Sequence, residues 1–153
     1  MRRLLSLLTV LSIIATLLCS CNAEPSAYDM LSEFIAAYGA EGSIYSPGIP
    51  EGESGYIPDG LMEKVFMLSG KLPENYAVFL NSRPSSFSEC GLFVCEDADM
   101  LLRMEESCLE RIGLLADAND SAFVKVSGNL VFYSTMSDRE RAEKIWRELI
   151  RKY

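Results

Sequence analysis

The sequence contains no histidine, and its 14 lysine and arginine residues are outnumbered by 22 aspartate and glutamate residues. Without an imidazole, the chain cannot build a Ser-His-Asp or Cys-His catalytic group or a histidine-ligated metal site. The shortage of basic residues argues against nucleic-acid binding, which requires a positively charged surface. These absences exclude the commonest catalytic arrangements and leave an acidic protein.

What the sequence has is a high apolar content, 49% of 153 residues. That content is too high for a disordered chain. The length is too small for two ordinary domains. We therefore predict a single compact domain with a targeting segment in front of it.

The first twenty residues have the pattern of a secretory signal. Arg2 and Arg3 precede an uncharged, leucine-rich run from Leu4 to Leu18, and polar residues follow soon after it. The run is shorter than the about 20 residues that a membrane-spanning helix needs. A basic start, an apolar run and a small-residue exit are typical of a cleaved leader. We predict a signal peptide over residues 1–20.

The end of this leader resembles the lipobox of bacterial lipoproteins. In Leu18-Cys19-Ser20-Cys21, an apolar, a variable and a small residue precede a cysteine. The resemblance implies that Cys21 carries a thioether-linked diacylglycerol and becomes the N-terminus, with residues 21–25 as a tether. The predicted location is the extracytoplasmic face of the cell membrane. Two alternatives remain open: an ordinary signal cleaved after Ala23, and an uncleaved anchor.

Residues 26–70 are predicted to form N-terminal helices around a loop rich in glycine and proline. Ser26 and Asp29 form a capping box in front of an apolar stripe with helical spacing. Five glycines and two prolines break regular structure over residues 39–57. A second short helix is expected over residues 59–68.

Residues 71–153 are predicted to form a β-β-α-β-β-α core, in one domain with residues 26–70. The pattern of two strands followed by one helix occurs twice. This order predicts an α+β fold with a four-stranded antiparallel sheet. The helices of these two units are expected on one face of the sheet, because each helix has a single apolar stripe to bury. The segments are strands at 76–80 and 90–95 with a polar turn at 83–89 between them, a helix from 97, strands at 123–126 and 130–133 around a Gly128-Asn129 turn, and a helix after 137–140. The expected inner residues are Leu101, Leu102, Cys108, Leu109 and Ile112 on the first helix, and Ala142, Ile145, Trp146, Leu149 and Ile150 on the second.

Charge is divided unevenly along the chain. Residues 21–120 hold five basic and eighteen acidic side chains, whereas residues 121–153 hold seven basic and four acidic ones. The last helix is therefore a basic element on an acidic body. This charge either stabilises the contact between the two parts and the helix C-terminus, or it forms a docking face for an anionic polymer or lipid head group.

Five short stretches of the sequence resemble, in their order and spacing, those of one protein family. They are the stretches at residues 56–61, 75–79, 89–94, 108–112 and 131–134, which follow the lipobox. The chain resembles the small bacterial lipoproteins catalogued as domain of unknown function 4358. The resemblance implies an envelope location and this architecture. It implies no activity and no catalytic residues.

The loop over residues 39–57 is the predicted recognition surface. Long loops inside compact domains often have a function, and tyrosines provide large, rigid contacts. The residues concerned are Tyr45, Ile49 and Tyr56. The alternative is that these three side chains only cover the sheet.

Three cysteines remain once Cys19 and Cys21 are set aside. Cys90 and Cys95 are too far apart on one strand for a disulfide and point to opposite faces. Cys108, on the next helix, could pair with either of them. The alternative is that all three are buried thiols. No close cysteine pair indicates a zinc site, and no other metal or cofactor is predicted.

Glu96, Asp97 and Asp99 lie where a helix starts, and acids there stabilise the helix dipole. We therefore assign them a structural role. The sequence favours a non-catalytic binding or scaffolding module whose partner is an envelope protein or polymer. The alternatives are an envelope hydrolase that uses carboxylates only, and a thiol redox element.

Overall fold

The structure is a computed structural model, and it describes residues 26–58, 60–66, 72–82, 88–115 and 120–153. The predicted signal peptide, the tether and Cys21 lie outside these residues. In chain order, the elements are α1 (Ala27–Tyr38), β1 (Gly42–Tyr45), α2 (Leu61–Val65), β2 (Asn75–Asn81), β3 (Glu89–Val94), α3 (Ala98–Leu115), β4 (Phe123–Ser127), β5 (Leu130–Ser134) and α4 (Arg139–Lys152).

The first helix forms as its sequence predicts. The Ser26 hydroxyl accepts a hydrogen bond from the Asp29 backbone N–H at 3.3 Å, which satisfies one free donor of the first turn. The helix ends at Gly39. Its apolar stripe is buried against the sheet and consists of Ala27, Met30, Leu31, Phe34 and Ile35.

All strands pair antiparallel, in the order β1-β2-β3-β5-β4. The two predicted strand-strand-helix units are confirmed as β2-β3-α3 and β4-β5-α4. Ser127 pairs with Leu130 across the Gly128-Asn129 turn, as predicted for this hairpin. The two units meet where β3 pairs with β5, so their strands form one continuous sheet.

Within the described residues the sheet has five strands, and the prediction of four was wrong. The additional strand, β1, lies in the glycine-rich segment that was expected to lack regular structure. A Cβ atom at Gly42 would collide with the Leu80 carbonyl oxygen and the Phe79 ring. The absence of a side chain at Gly42 therefore allows β1 to approach β2. Gly42 was counted among the residues expected to break regular structure, but here it permits strand pairing.

Helices cover both faces of the sheet. The helices of the two units, α3 and α4, lie on opposite faces, so the prediction that they share one face was also wrong. One face packs against α1 and α4 around Phe132 and Trp146, and we call it the α1/α4 face. The other packs against α2 and α3 around Phe93 and Tyr133, and we call it the α2/α3 face. Every residue of β3 and β5 is buried, and strands buried on both faces need a helix layer on each.

The two long C-terminal helices differ in how well their buried sides were predicted. On α4 the predicted residues Ala142, Trp146 and Leu149 are buried. On α3 the expected inner residue Cys108 is buried, and Leu101 and Ile112 are half-buried against the α2/α3 face. The expected inner residues Leu102 and Leu109 are exposed, and Met100, Met104 and Ser107 are buried in their place. In the parts of the chain that the structure describes, no helix combines the length and apolarity needed to cross a membrane.

Candidate ligand pocket

The predicted recognition residues lie around the segment that links β1 to α2. Tyr45 is the last residue of β1, and Ile49 and Tyr56 follow in the linking segment. The segment folds back through backbone hydrogen bonds, from Ile49 N–H to the Ser46 carbonyl at 3.2 Å and from Tyr56 N–H to the Glu53 carbonyl at 3.1 Å. The linking segment therefore forms two hydrogen-bonded turns and is not extended.

Tyr45 and Tyr56 line the same cavity, whose volume is about 270 Å³. The cavity lies on the α2/α3 face, between the linking segment, α2 and the sheet. Ile49 does not line it. Ile49 is half-buried and instead lies beside Gly55. Most of the cavity wall is apolar, and the apolar lining is Ile57, Pro58, Leu61, Met62, Val65, Val78 and Leu80, together with the rings of Tyr45, Tyr56 and Tyr133.

The polar groups at one side of this cavity, Glu89, Tyr133 and Arg111, form a hydrogen-bonded cluster, which we call the Glu89 cluster. Glu89 and Tyr133 are buried, and Arg111 is half-buried. Arg111 on α3 donates from Nε and Nη2 to the two carboxylate oxygens of Glu89 on β3, at 2.8 and 2.9 Å. The Tyr133 hydroxyl on β5 donates to Glu89 Oε1 at 2.9 Å. A two-point guanidinium–carboxylate contact holds both groups in one orientation.

Gly91, two residues after Glu89 on β3, makes room for this cluster. Gly91 lies opposite Tyr133 in the β3–β5 pairing. A Cβ atom at Gly91 would collide with the Tyr133 ring. The ring therefore lies over the glycine and is fully buried, which brings its hydroxyl to Glu89.

The backbone of Glu89 is held as firmly as its side chain. The Thr135 hydroxyl accepts from the Glu89 N–H, and the Thr135 N–H donates to the Glu89 carbonyl, both at 2.9 Å. With both backbone and side chain fixed, the carboxylate cannot turn toward solvent without breaking several hydrogen bonds.

The donors of the cluster, Arg111 and Tyr133, are protonated at neutral pH even when free in water, and their surroundings make deprotonation harder still. The hydrogen bond to Glu89 raises the pKa of Arg111. Burial, and then the charge of Glu89, raises the pKa of Tyr133 well above its ordinary value. The cluster therefore offers a neutral, paired polar surface at the base of an otherwise apolar cavity.

A second groove of about 400 Å³ adjoins this cavity. The two share Tyr56, Ile57, Pro58 and Met62, so the chain between β1 and α2 forms the wall between them. Two carboxylates, Glu63 and Glu74, line the outer groove. This segment thus shapes two adjacent depressions on the same face.

The three cysteines of the described core are free and buried. Cys90 packs within the α1/α4 face, whereas Cys95 and Cys108 pack within the α2/α3 face. The predicted opposite orientation of Cys90 and Cys95 is confirmed. Because the sheet separates Cys90 from Cys108, that pairing is excluded by the geometry.

Burial also suppresses the reactivity of these thiols. It raises the pKa of Cys95 to about 11, and it raises the pKa of Cys90 and of Cys108 further above the ordinary value. Only the thiolate is an efficient nucleophile. The folded environment therefore favours inert, space-filling thiols.

The acids at the start of α3 have structural partners. The Asp97 carboxylate accepts from the Met100 backbone N–H at 2.7 Å, which confirms its predicted place at the helix start. Glu96 accepts from the Glu74 backbone N–H at 3.0 Å. Among the described residues there is no group of three or more Cys, Asp or Glu side chains arranged to hold a metal ion.

Sequence reasoning found two tyrosines of the cavity but missed its charged base. Glu89 was assigned to a polar turn, although it lies directly before the uninterrupted apolar run of β3. Arg111 lies 22 positions away on a helix, and no local pattern links the two. Both residues do fall within the stretches that resemble the lipoprotein family.

Comparison with protein-family models, with curated proteins and with solved structures finds no match for this chain. The resemblance to the lipoprotein family therefore stays a prediction. The function has to be inferred from the geometry of the cavity and from the sequence.

Proposed function

We propose that the protein is a lipid-anchored binding module on the extracytoplasmic face of the membrane, without catalytic activity. The observation that carries this proposal is the cavity of about 270 Å³ lined by Tyr45 and Tyr56, with the Glu89 cluster at its base. Ligand sites are typically concave and mostly apolar, with a few well-placed polar groups. This cavity has that composition.

The size of the cavity supports a small ligand or one protruding group of a larger partner. Its volume lies just below the range of roughly 300–1,000 Å³ that is usual for ligand pockets. An apolar body would contact the tyrosines and the α2 side chains, and a polar end would face Glu89 and Arg111. An envelope protein or polymer that inserts one such group fits these requirements.

The hydrogen bonding of Glu89 supports binding rather than hydrolysis. Its carboxylate already accepts from Arg111 and Tyr133. A catalytic carboxylate has to exchange a proton with the substrate or attack it. The hydrogen-bonded pair instead provides a fixed polar contact for a bound group.

Site-specific crosslinking in intact cells tests the binding role. A photoreactive amino acid at Leu61, which lines the cavity and is 45% exposed, should give a discrete adduct. The matched control is the same amino acid at Leu102, which is 57% exposed on α3 and does not line the cavity. Tyr56→Ala should weaken the adduct from position 61. Identical adducts from both positions would contradict the proposal.

The lipid anchor rests on the sequence alone, and a pair of cysteine variants tests it. Cys21→Ala should abolish incorporation of radiolabelled palmitate, because the proposed thioether forms at that sulfur. Cys19→Ala is the matched control, since it removes a thiol two residues away and should leave the label in place. A mature peptide that begins at Glu24 by mass spectrometry would show ordinary cleavage after Ala23 and end this part of the proposal.

A further inference from the structure

The sheet has an open edge at β4, beside the most basic element of the chain. β4 is the last strand in the sheet order and pairs only with β5 among the described strands. A groove of about 330 Å³ runs between β4 and α4. It lies at the opposite end of the strand order from β1, so it is separate from the tyrosine-lined cavity.

The hairpin geometry determines which backbone groups face outward from β4. The two-residue turn closes on the Ser127–Leu130 pair, so Ser127, Lys125 and Phe123 bond to β5. The N–H and C=O groups of Val124 and Val126 therefore point away from the sheet. Neither residue has a backbone hydrogen bond to another described loop or turn. An unpaired row of this kind is a template for another strand.

The groove beside this edge is cationic with an apolar base. Trp146 and Ile150 provide the apolar surface, and Lys125, Arg147 and Arg151 surround it. Glu143, the acid of the lining, is already paired with Lys125 at 3.4 Å and with Arg139 at 3.1 Å. Neither Arg147 nor Arg151 forms an ion pair with a described residue. Their two charges are available to a ligand.

We infer that β4 and this groove bind an extended, acidic segment of another polypeptide as a sixth strand. The backbone of that segment pairs with Val124 and Val126, and its carboxylates on alternate residues face Arg147 and Arg151. Strand addition draws its affinity from main-chain hydrogen bonds and its selectivity from alternate side chains. Here the selectivity is for negative charge.

Two other occupants, a second copy of this chain and a lipid head group, each fit only part of this surface. Pairing of β4 with β4 of a second copy would bring two sets of Lys125, Arg147 and Arg151 together, and like charges at an interface oppose association. A lipid head group would satisfy the arginines but would leave the outward N–H and C=O groups of Val124 and Val126 without a partner. An acidic strand satisfies both requirements.

Binding of a defined peptide to the full-length chain in detergent tests this inference. The probe is a fluorescent, end-blocked peptide of sequence Glu-Val-Glu-Val-Glu-Val-Glu, with Lys-Val-Lys-Val-Lys-Val-Lys as the charge-reversed control. The acidic peptide should bind about ten-fold or more tightly than the basic one, and less tightly as salt is raised. Equal binding of the two peptides, or no binding of the acidic one, would overturn the inference.

Three variants separate strand pairing from simple charge attraction. Val126→Pro removes an outward N–H and leaves the β5 pairing intact, and it should abolish binding. Arg147→Glu with Arg151→Glu should weaken binding about ten-fold or more. Lys144→Glu is the matched control, because Lys144 is exposed on the same helix outside the groove, and it should have little effect. If Val126→Pro fails to fold, the arginine pair still tests the charge requirement, and hydrogen exchange at Val124 and Val126 in the unsubstituted chain tests the strand pairing.

Hydrogen exchange gives a readout that charge alone would not change. The amides of Val124 and Val126 should gain protection when the acidic peptide is bound. Binding without that protection, or displacement by glycerol phosphate at the same concentration, would show an anion site for head groups and overturn the inference. Concentration-dependent protection without peptide would show pairing between copies and would also overturn it.

Discussion

At the scale of single residues, the most constrained group is the carboxylate of Glu89. Its side chain is only 8% exposed, and its Arg111 partner is 22% exposed. Removing a charge from water is costly, and only a close partner with good geometry compensates for it. The two side chains therefore depend on each other, because each charge offsets the desolvation cost of the other.

This interdependence predicts that removing one partner of the pair destabilises the protein more than removing both. Arg111→Leu leaves the Glu89 carboxylate buried without its cation, and it should reduce the free energy of unfolding by about 3 kcal/mol. The double variant Glu89→Leu with Arg111→Leu should lose less, because no uncompensated charge remains. Urea denaturation of both variants measures the difference. A double variant that is less stable than Arg111→Leu would contradict this account.

At the scale of elements, the same residue type has opposite roles in a strand and in a helix. Gly91 in β3 lies under the Tyr133 ring, whereas an added Cβ at Gly113 in α3 would have no side chain of a described residue within 4 Å. In the strand, glycine creates space for a cross-strand aromatic ring. In the helix, it only adds flexibility and lowers helix propensity.

Alanine at these two positions should therefore change stability in opposite directions. Gly91→Ala should cost about 1–3 kcal/mol, because the Tyr133 ring must move in a packed layer. Gly113→Ala should stabilise the protein by up to about 1 kcal/mol. Thermal unfolding of the two variants tests the contrast. A neutral Gly91→Ala would show that the ring can shift without cost.

At the scale of the whole molecule, the sheet divides the protein into two separate apolar layers. Cys90 belongs to the layer under α1 and α4, and Cys95 and Cys108 belong to the layer under α2 and α3. Each layer excludes water from its thiols. The layers also separate the tyrosine-lined cavity from the groove beside α4.

This division predicts the reactivity of the thiols. In the folded protein at pH 8, iodoacetamide should leave all three unlabelled, because burial raises the pKa of each and the thiolate is scarce. As pH rises, Cys95 should react first, since its pKa of about 11 is the least displaced. Peptide mapping by mass spectrometry measures each site, and urea-unfolded protein is the control. Rapid labelling of Cys108 in the folded state would contradict the two-layer burial.

Local sequence patterns were sufficient for most of the elements. The caps at Ser26 and Asp97, the turn at Gly128 and the apolar stripe of α4 are confirmed. Each depends on residues within a few positions of one another, where backbone hydrogen bonding and side-chain spacing determine the structure. Of the three residues predicted for recognition, Tyr45 and Tyr56 line the cavity and Ile49 does not, and their role in recognition stays a prediction.

By itself, the sequence determined the helices, the hairpin and the tandem order of strands and helices. Only the tertiary structure decided that β1 joins the sheet, that helices cover both faces, and that Glu89 meets Arg111 and Tyr133. Those features depend on contacts between residues far apart in the chain. Their energies come from burial and from pairing of charges, which exist only once the layers have packed.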